Sequence, residues 1–292
     1  MYRLGQNFRL EYIEKQRFMS PTYNPSSLYL QSIKDQPSLM STYAFMLGVY
    51  PQCISFLNLK MSNALDHQKV VRKTLGLPEN PPRGAKSISI SSDDGFLFWT
   101  NPAQQCPGID KKMQYHLGSA GQALGNGYSS NLFPILASQF QKPQSKITFA
   151  TAHHYLDDYV KSQRSGLEYP AFRNQASMDK LIDEYEKDYF YEGLLGGNEV
   201  ARVIATPLLN FAMIKNFGKS QVEAGALRDN SLKSLQHAHF FSNKIGFAAL
   251  LKAIGYPQGS APRGGQNIRF ELFETDRKMF VRTTLDDQPL NF

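Results

Sequence analysis

The sequence predicts an α/β chain, and three observations predict it. Phe240-Phe241-Ser242-Asn243-Lys244-Ile245-Gly246-Phe247, continuing to Gly255, runs from an apolar strand through a tight polar turn straight into an apolar helix. In open α/β sheets that layout aims the turn at the carboxyl end of the sheet, where ligands bind. Leu28 to Ser32 followed by a helix over Leu39 to Gly48 repeats the pattern near the other end of the chain. Between these two regions, from Asp110 to about Asn230, helical signals dominate.

Taken in order, residues 1–17 read as a helix and Ser20 to Ser27 as a loop rich in Pro, Ser and Asn. The strand Leu28 to Ser32 and the helix Leu39 to Gly48 follow, with Ser38 near the helix cap. Ala44 to Leu59 is the most apolar stretch, but Gly48 and Pro51 divide it into a buried helix, a turn and a second segment. Pro78 to Gly84 is a proline-rich break, and Lys86 to Ser91 alternates like a strand before an Asp93-Asp94-Gly95 turn. The helical region holds two glycine-rich stretches read as loops, Gly118 to Gly127 and Gly193 to Gly197. A helix over Glu199 to Asn216 contains Pro207, which marks a start or a kink. After the strand, turn and helix at His239 to Ile254 comes a Gly/Pro loop, Gly255 to Gly265. Two closing strands are expected, Asn267 to Glu274 and Lys278 to Thr284, joined by a turn at Asp276-Arg277.

A chain of 292 residues with 41% hydrophobic and 20% charged residues is long enough for a sizeable core and sits in the globular range. No apolar window of spanning length occurs, so no transmembrane segment is expected. The net charge is +7, but the Lys and Arg residues are scattered without a clustered patch, so nucleic acid is not an expected partner. The two cysteines, Cys53 and Cys106, are too few for a disulfide framework and fit an intracellular home. The N-terminus lacks a signal peptide's apolar region. Arg3, Arg9, Lys15 and Arg17 alternate there with Leu4, Phe8, Tyr12 and Ile13 at helical spacing, faintly like a mitochondrial presequence, although Glu11 and Glu14 count against that role.

Several constellations invite a chemical reading. His153 and His154 each meet an aspartate, Asp157 and Asp158, at i, i+4; the pairs lie on adjacent helix faces and do not converge on one ion, so a solvated helix is expected and no metal. His237 and His239 share one face of their strand and read as packing residues. Gly193 to Gly197 lacks both the GK[ST] ending and the preceding strand of a phosphate cradle, which leaves a loop. Tyr185, Tyr189, Phe190, Tyr191 and Leu194-Leu195 form a dense aromatic and apolar cluster in a charged helix, which would line the cleft entrance of a free-standing enzyme or, in a subunit, serve as anchors for a protein partner.

Seven segments in order resemble the histidine acid phosphatases over nearly the whole chain. They are Leu4 to Tyr12 ("LGxxLRxxY"), Leu28 to Thr42, Leu47-Gly48-Val49-Tyr50-Pro51, Cys106-Pro107, Asn198-Glu199 to Leu209, Phe240 to Gly255, and Phe270-Glu271-Leu272 with Val281-Arg282 and Asp287-Gln288-Pro289. The resemblance implies a central mixed, mainly parallel sheet with helices on both faces and a helical cap. Residues 1–104 and 231–292 would form the α/β core and about 105–230 the cap, with the family's first strand missing.

The resemblance also implies a lost chemistry. The family attacks phosphorus with the histidine of an Arg-His-Gly motif, holds the phosphoryl oxygens with arginines, and protonates the leaving group from a His-Asp pair; transfer of this kind depends on positioning and electrostatic clamping. No Arg-His-Gly occurs here, Pro37 stands at the position of a clamping arginine, and Asn243-Lys244 stands where His-Asp is expected. Asn267 stands at the place of a closing cysteine. The expectation is a catalytically inactive protein, without cofactor or metal, that serves as a structural or accessory subunit beside other protein subunits, in an intracellular and mitochondrial setting. Two alternatives remain: a phosphate-binding module using Lys244 as its anion site, and an active acid phosphatase whose N-terminus is incomplete and whose setting is lysosomal or secretory.

Overall fold

The computed structural model describes residues 1–33, 35–51, 54–55, 64–80, 86–88, 90, 106–164, 175–210, 235–256 and 261–290. Among them the chain is mixed α/β, with two small parallel strand pairs and a separate antiparallel sheet. It divides into two compact units, Met1–Thr100 with Leu208–Asn243, and Asn101–Pro207 with Lys244–Phe292. The closing strands fall in the same unit as most of the helical region.

The first unit opens with α1 (Tyr2–Phe8), which continues as a π-helical stretch over Arg9–Lys15. Strand β1 (Leu28–Ser32) lies where the sequence predicts it. Helix α2 (Gln36–Val49) starts three residues before the expected Leu39, because the Asp35 carboxylate accepts from the Ser38 amide at 2.7 Å and so caps the helix ahead of Ser38. Pro37 fits this first turn, where its missing N–H leaves no bond unmade. Strand β2 (Ile54–Ser55), helix α3 (Ala64–Thr74) and strand β3 (Lys86–Ser87) follow. The Asp93-Asp94-Gly95 turn, Cys53, the segment over 211–216 and much of the two Pro-rich loops lie outside the described residues.

Strand β4 (His237–Phe241) pairs in parallel with β1, from Leu28 opposite His237 to Ser32 opposite Phe241, and β2 pairs in parallel with β3. Against β1 and β4 pack α1 and α2, which cross in backbone contact. A Cβ on Gly5 would fall on the Phe45 carbonyl, and one on Gly48 would fall on the Tyr2 carbonyl and 2.7 Å from the Gln6 nitrogen. Phe8, Tyr12, Leu30, Phe45, Met46 and Tyr50 are buried around this crossing. The Arg9 guanidinium donates to the Val49 carbonyl at 2.9 Å and satisfies an orphan acceptor at the end of α2.

The second unit is helical apart from its last strands. Helix α4 (Pro107–Ser129) runs unbroken through Gly118 to Gly127, which corrects the expected loop. Ile109, Met113, Leu117, Ala120 and Tyr128 recur at helical spacing and are buried, and that burial outweighs a glycine cost of about 1 kcal/mol per residue. Gly121 and Gly125, one turn apart, face Phe149, and an added Cβ at either would stand in ordinary contact with the Phe149 Cβ, at 3.6 and 3.9 Å. Helices α5 (Leu132–Gln139), α6 (Phe149–Arg164) and α7 (Gln175–Lys187) follow, and α7 continues as a π-helical stretch, Asp188–Leu194. Then come α8 (Asn198–Asn210), which carries Pro207 inside it, and α9 (Lys244–Ala253).

Strands β5 (Ile268–Thr275), β6 (Lys278–Leu285) and β7 (Gln288–Pro289) form the antiparallel sheet. The predicted turn is present: Asp276 and Arg277 have φ of 52° and 61°, the paired left-handed conformation of a two-residue hairpin loop. Asp286 and Asp287, at 47° and 68°, repeat it before β7.

Candidate functional site

In the first unit, the parallel register of β1 and β4 brings the turns after both strands to the same end of the pair. The Ile33 amide donates to the Phe241 carbonyl at 3.3 Å, one step beyond the ladder. Past that step the chain enters Asp35 to Pro37 on one side and Ser242-Asn243 on the other. This is the carboxyl-end position where α/β sheets hold ligands. Pro37 is exposed there and carries neither charge nor donor. Asn243 is half-buried, and its carbonyl accepts from the Ser242 hydroxyl at 3.4 Å. An amide at this place has no proton to deliver to a leaving group. His237 and His239 are packing residues: their rings lie 4.7 Å from Phe8 and 4.2 Å from Phe45.

Lys244 is the first residue of α9, in the second unit. Its ammonium donates to Glu186 Oε1 at 2.6 Å and stands 3.7 Å from Asp157 Oδ1, with the Phe190 ring face 5.9 Å away. The Glu186 side chain is only 8% exposed, so this pair is shielded from water on its acidic side. One cation facing two carboxylates makes a site of net negative charge. An anion approaching the ammonium meets the repulsion of both carboxylates. Asp157 is one of the two aspartates expected to sit beside a helical histidine; its partner His153 stacks on Tyr189 at 4.3 Å with planes 15° apart. Among the described residues no group of three or more His, Cys, Asp or Glu side chains converges to hold a metal.

Eight residues on, Lys252 makes a contrasting arrangement. It is 9% exposed, and its ammonium donates to the Tyr191 carbonyl at 2.6 Å and to the Gly196 carbonyl. Burial holds its pKa below the ordinary lysine value. The glycine stretch over 193–197 thus presents a carbonyl to a cation, the opposite polarity to a phosphate cradle.

The aromatic cluster read as a partner-facing surface is interior. Tyr185, Tyr191 and Phe190 are at most 1% exposed, and Tyr189 and Leu194 are buried as well. Successive residues 189–191 cannot all face one side of a helix, but this π-helical stretch packs against α4, α6 and α9 and is enclosed on several sides. Tyr185 donates to the Phe149 carbonyl at 2.5 Å and Tyr128 to Asp188 at 2.7 Å. Burial, the largest cause, raises the pKa of both phenols; the hydrogen bond to Asp188 adds to the rise of Tyr128, whereas a backbone hydrogen bond opposes that of Tyr185, and burial pushes Tyr191 up to about 12.

Lys244 was legible as a singular residue in its turn; its partner Glu186 was not, because 58 residues separate them and no local pattern joins them. No family model and no curated protein matches the chain.

Proposed function

We propose that this chain is a non-catalytic protein built on a histidine acid phosphatase-like fold, acting as a structural or accessory subunit of a larger protein assembly. The observation that carries the proposal is the turn after β4: Asn243 stands where a proton donor is needed, and the next residue is a lysine already neutralised by Glu186 and Asp157. The two parallel strand pairs are read as parts of one mainly parallel sheet that α1 and α2 cover. The internal engagement of Lys244 favours the subunit reading over a phosphate-binding module. Met279, Phe280 and Val281, each about half exposed on β6, supply apolar surface of the kind that subunit contacts use. The N-terminal basic helix makes an organellar complex the proposed setting.

Two measurements test this. Hydrolysis of a generic phosphomonoester across acid pH is expected to stay at background, and Asn243→His with Lys244→Asp is expected not to rescue it, since Pro37 leaves the phosphoryl group unheld. Turnover that depends on a residue of this chain overturns the inactive reading. Native mass by light scattering, after gentle extraction, is expected to exceed that of one chain; a folded 33.0 kDa monomer overturns the assembly reading.

A further inference from the structure

The antiparallel sheet of the second unit carries an exposed edge. Strand β7 lies along β6 only at the far end: Thr284 and Leu285 face Pro289 and Gln288, and the Leu290 amide donates to the Thr283 carbonyl at 2.8 Å. In an antiparallel ladder, alternate residues turn their N–H and C=O toward opposite neighbours. Thr283 turns toward β7, so Val281 and Met279 turn their backbone groups to that same outer side, while Lys278, Phe280 and Arg282 turn theirs toward β5. Solvent reaches this length of edge, since Met279, Phe280 and Val281 are 51 to 52% exposed. Three large apolar side chains beside outward N–H and C=O groups make a template for one more strand.

Charge selects the strand. Every ionisable side chain from residue 277 to 282 is basic: Arg277, Lys278 and Arg282, all exposed. Two β6 edges pairing antiparallel about Phe280 would set Lys278 opposite Arg282 twice, and like charges directly opposite destabilise a sheet. The net charge of +7 also opposes a second copy. The inner edge displays what β6 accepts. There β5 sets Glu271 opposite Arg282, Leu272 opposite Val281 and Phe273 opposite Phe280. Arg282 Nε donates to Glu271 at 2.8 Å, and its guanidinium lies 4.6 Å from the Phe273 ring centre. We infer that the outer edge of β6, from Lys278 to Arg282, docks an extended acidic segment of another protein. That segment adds as a strand, with carboxylates beside Lys278 and Arg282 and apolar side chains beside Met279, Phe280 and Val281. This contact rests on the subunit reading and names the kind of partner held there.

A labelled peptide with blocked ends tests it, using the β5 sequence over 268–275 with Thr275→Glu, so that in the register of β5 acids face both Lys278 and Arg282. A control peptide carries Glu271→Lys and Thr275→Lys. Fluorescence anisotropy with the full chain is expected to show saturable binding of the acidic peptide. The lysine peptide is expected to bind about tenfold more weakly, as two attractive pairs become repulsive. Val281→Pro removes an outward N–H that β5 does not use, a change that an edge strand tolerates. It is expected to abolish binding with far-UV ellipticity unchanged. Binding that survives Val281→Pro, equal binding of the two peptides, or no binding of either overturns the site. If Val281→Pro does not fold, Lys278→Glu decides: the acidic peptide is expected to lose affinity and the lysine peptide to gain it, and unchanged affinities overturn the site. Self-association of the chain expressed alone, removed by Val281→Pro, makes a second copy the occupant and overturns the acidic partner. A gently extracted complex that keeps its mass in Val281→Pro overturns this contact and leaves the subunit reading standing.

Discussion

The α1–α2 crossing of the first unit and the aromatic cluster of the second are both interior, yet they are built in opposite ways. At the crossing, two glycines remove side chains so that backbones touch, with Gly5 against Phe45 and Gly48 against Tyr2. In the second unit, Tyr128, Phe149, Tyr185 and Tyr189 fill the interior with rings whose centroids lie 5.3 to 6.2 Å apart, and the hydroxyls are tied to Phe149 and Asp188. The first arrangement admits no added atom. The second tolerates small changes of volume but not of charge, because each tyrosine carries a polar tip into a region of low dielectric.

The largest effect is expected where there is no room. Gly48→Ala gains about 1 kcal/mol in helix propensity. It sets a methyl onto the Tyr2 carbonyl, a backbone atom that cannot rotate away. The clash wins, at about 3 kcal/mol or more, the upper end of overpacking costs. Hydrogen exchange is expected to show lost protection across Tyr2–Phe8 and Gln36–Val49. Unchanged protection there would mean that the two helices are not in backbone contact.

Alkaline pH probes the other interior. The folded pKa values of Tyr128, Tyr185 and Tyr191 lie above the ordinary value of 10, so the fold favours the neutral phenols. Their contribution to stability is complete below the unfolded value and is lost as pH rises through the folded one, about 12 for Tyr191. Phenolate absorbance is expected to rise in two stages: exposed tyrosines near pH 10, and the cluster only with cooperative loss of ellipticity at higher pH. All 15 tyrosines titrating together, with the helical signal intact, would show that the cluster is open to water.

A smaller effect sharpens the contrast. Tyr185→Phe keeps the ring and removes only the bond to the Phe149 carbonyl, so a loss of about 1 kcal/mol is expected in denaturant unfolding. A loss above about 3 kcal/mol, the scale of a vacated aromatic site, would mean that the ring itself had moved.

Strand β1, the strand, turn and helix around Ser242-Asn243, and the Asp276-Arg277 hairpin were legible in the sequence, because each is set by neighbours. Alternation and apolar runs fix strands and helices, and turn chemistry fixes reversals. The absence of an Arg-His-Gly motif and the identities of Pro37, Asn243 and Lys244 were equally plain. Tertiary structure decided the rest. Helix α4 passes through the four glycines of Gly118 to Gly127 because one of its faces is buried, which overrides a local preference of about 1 kcal/mol per residue. The aromatic cluster is core because the π-helical stretch is enclosed on several sides, a fact of packing that no periodicity carries. Whether Lys244 meets carboxylates depends on residues brought together from distant parts of the chain. Charge pairing acts through space, so the sequence names the charges and only the fold assigns their partners.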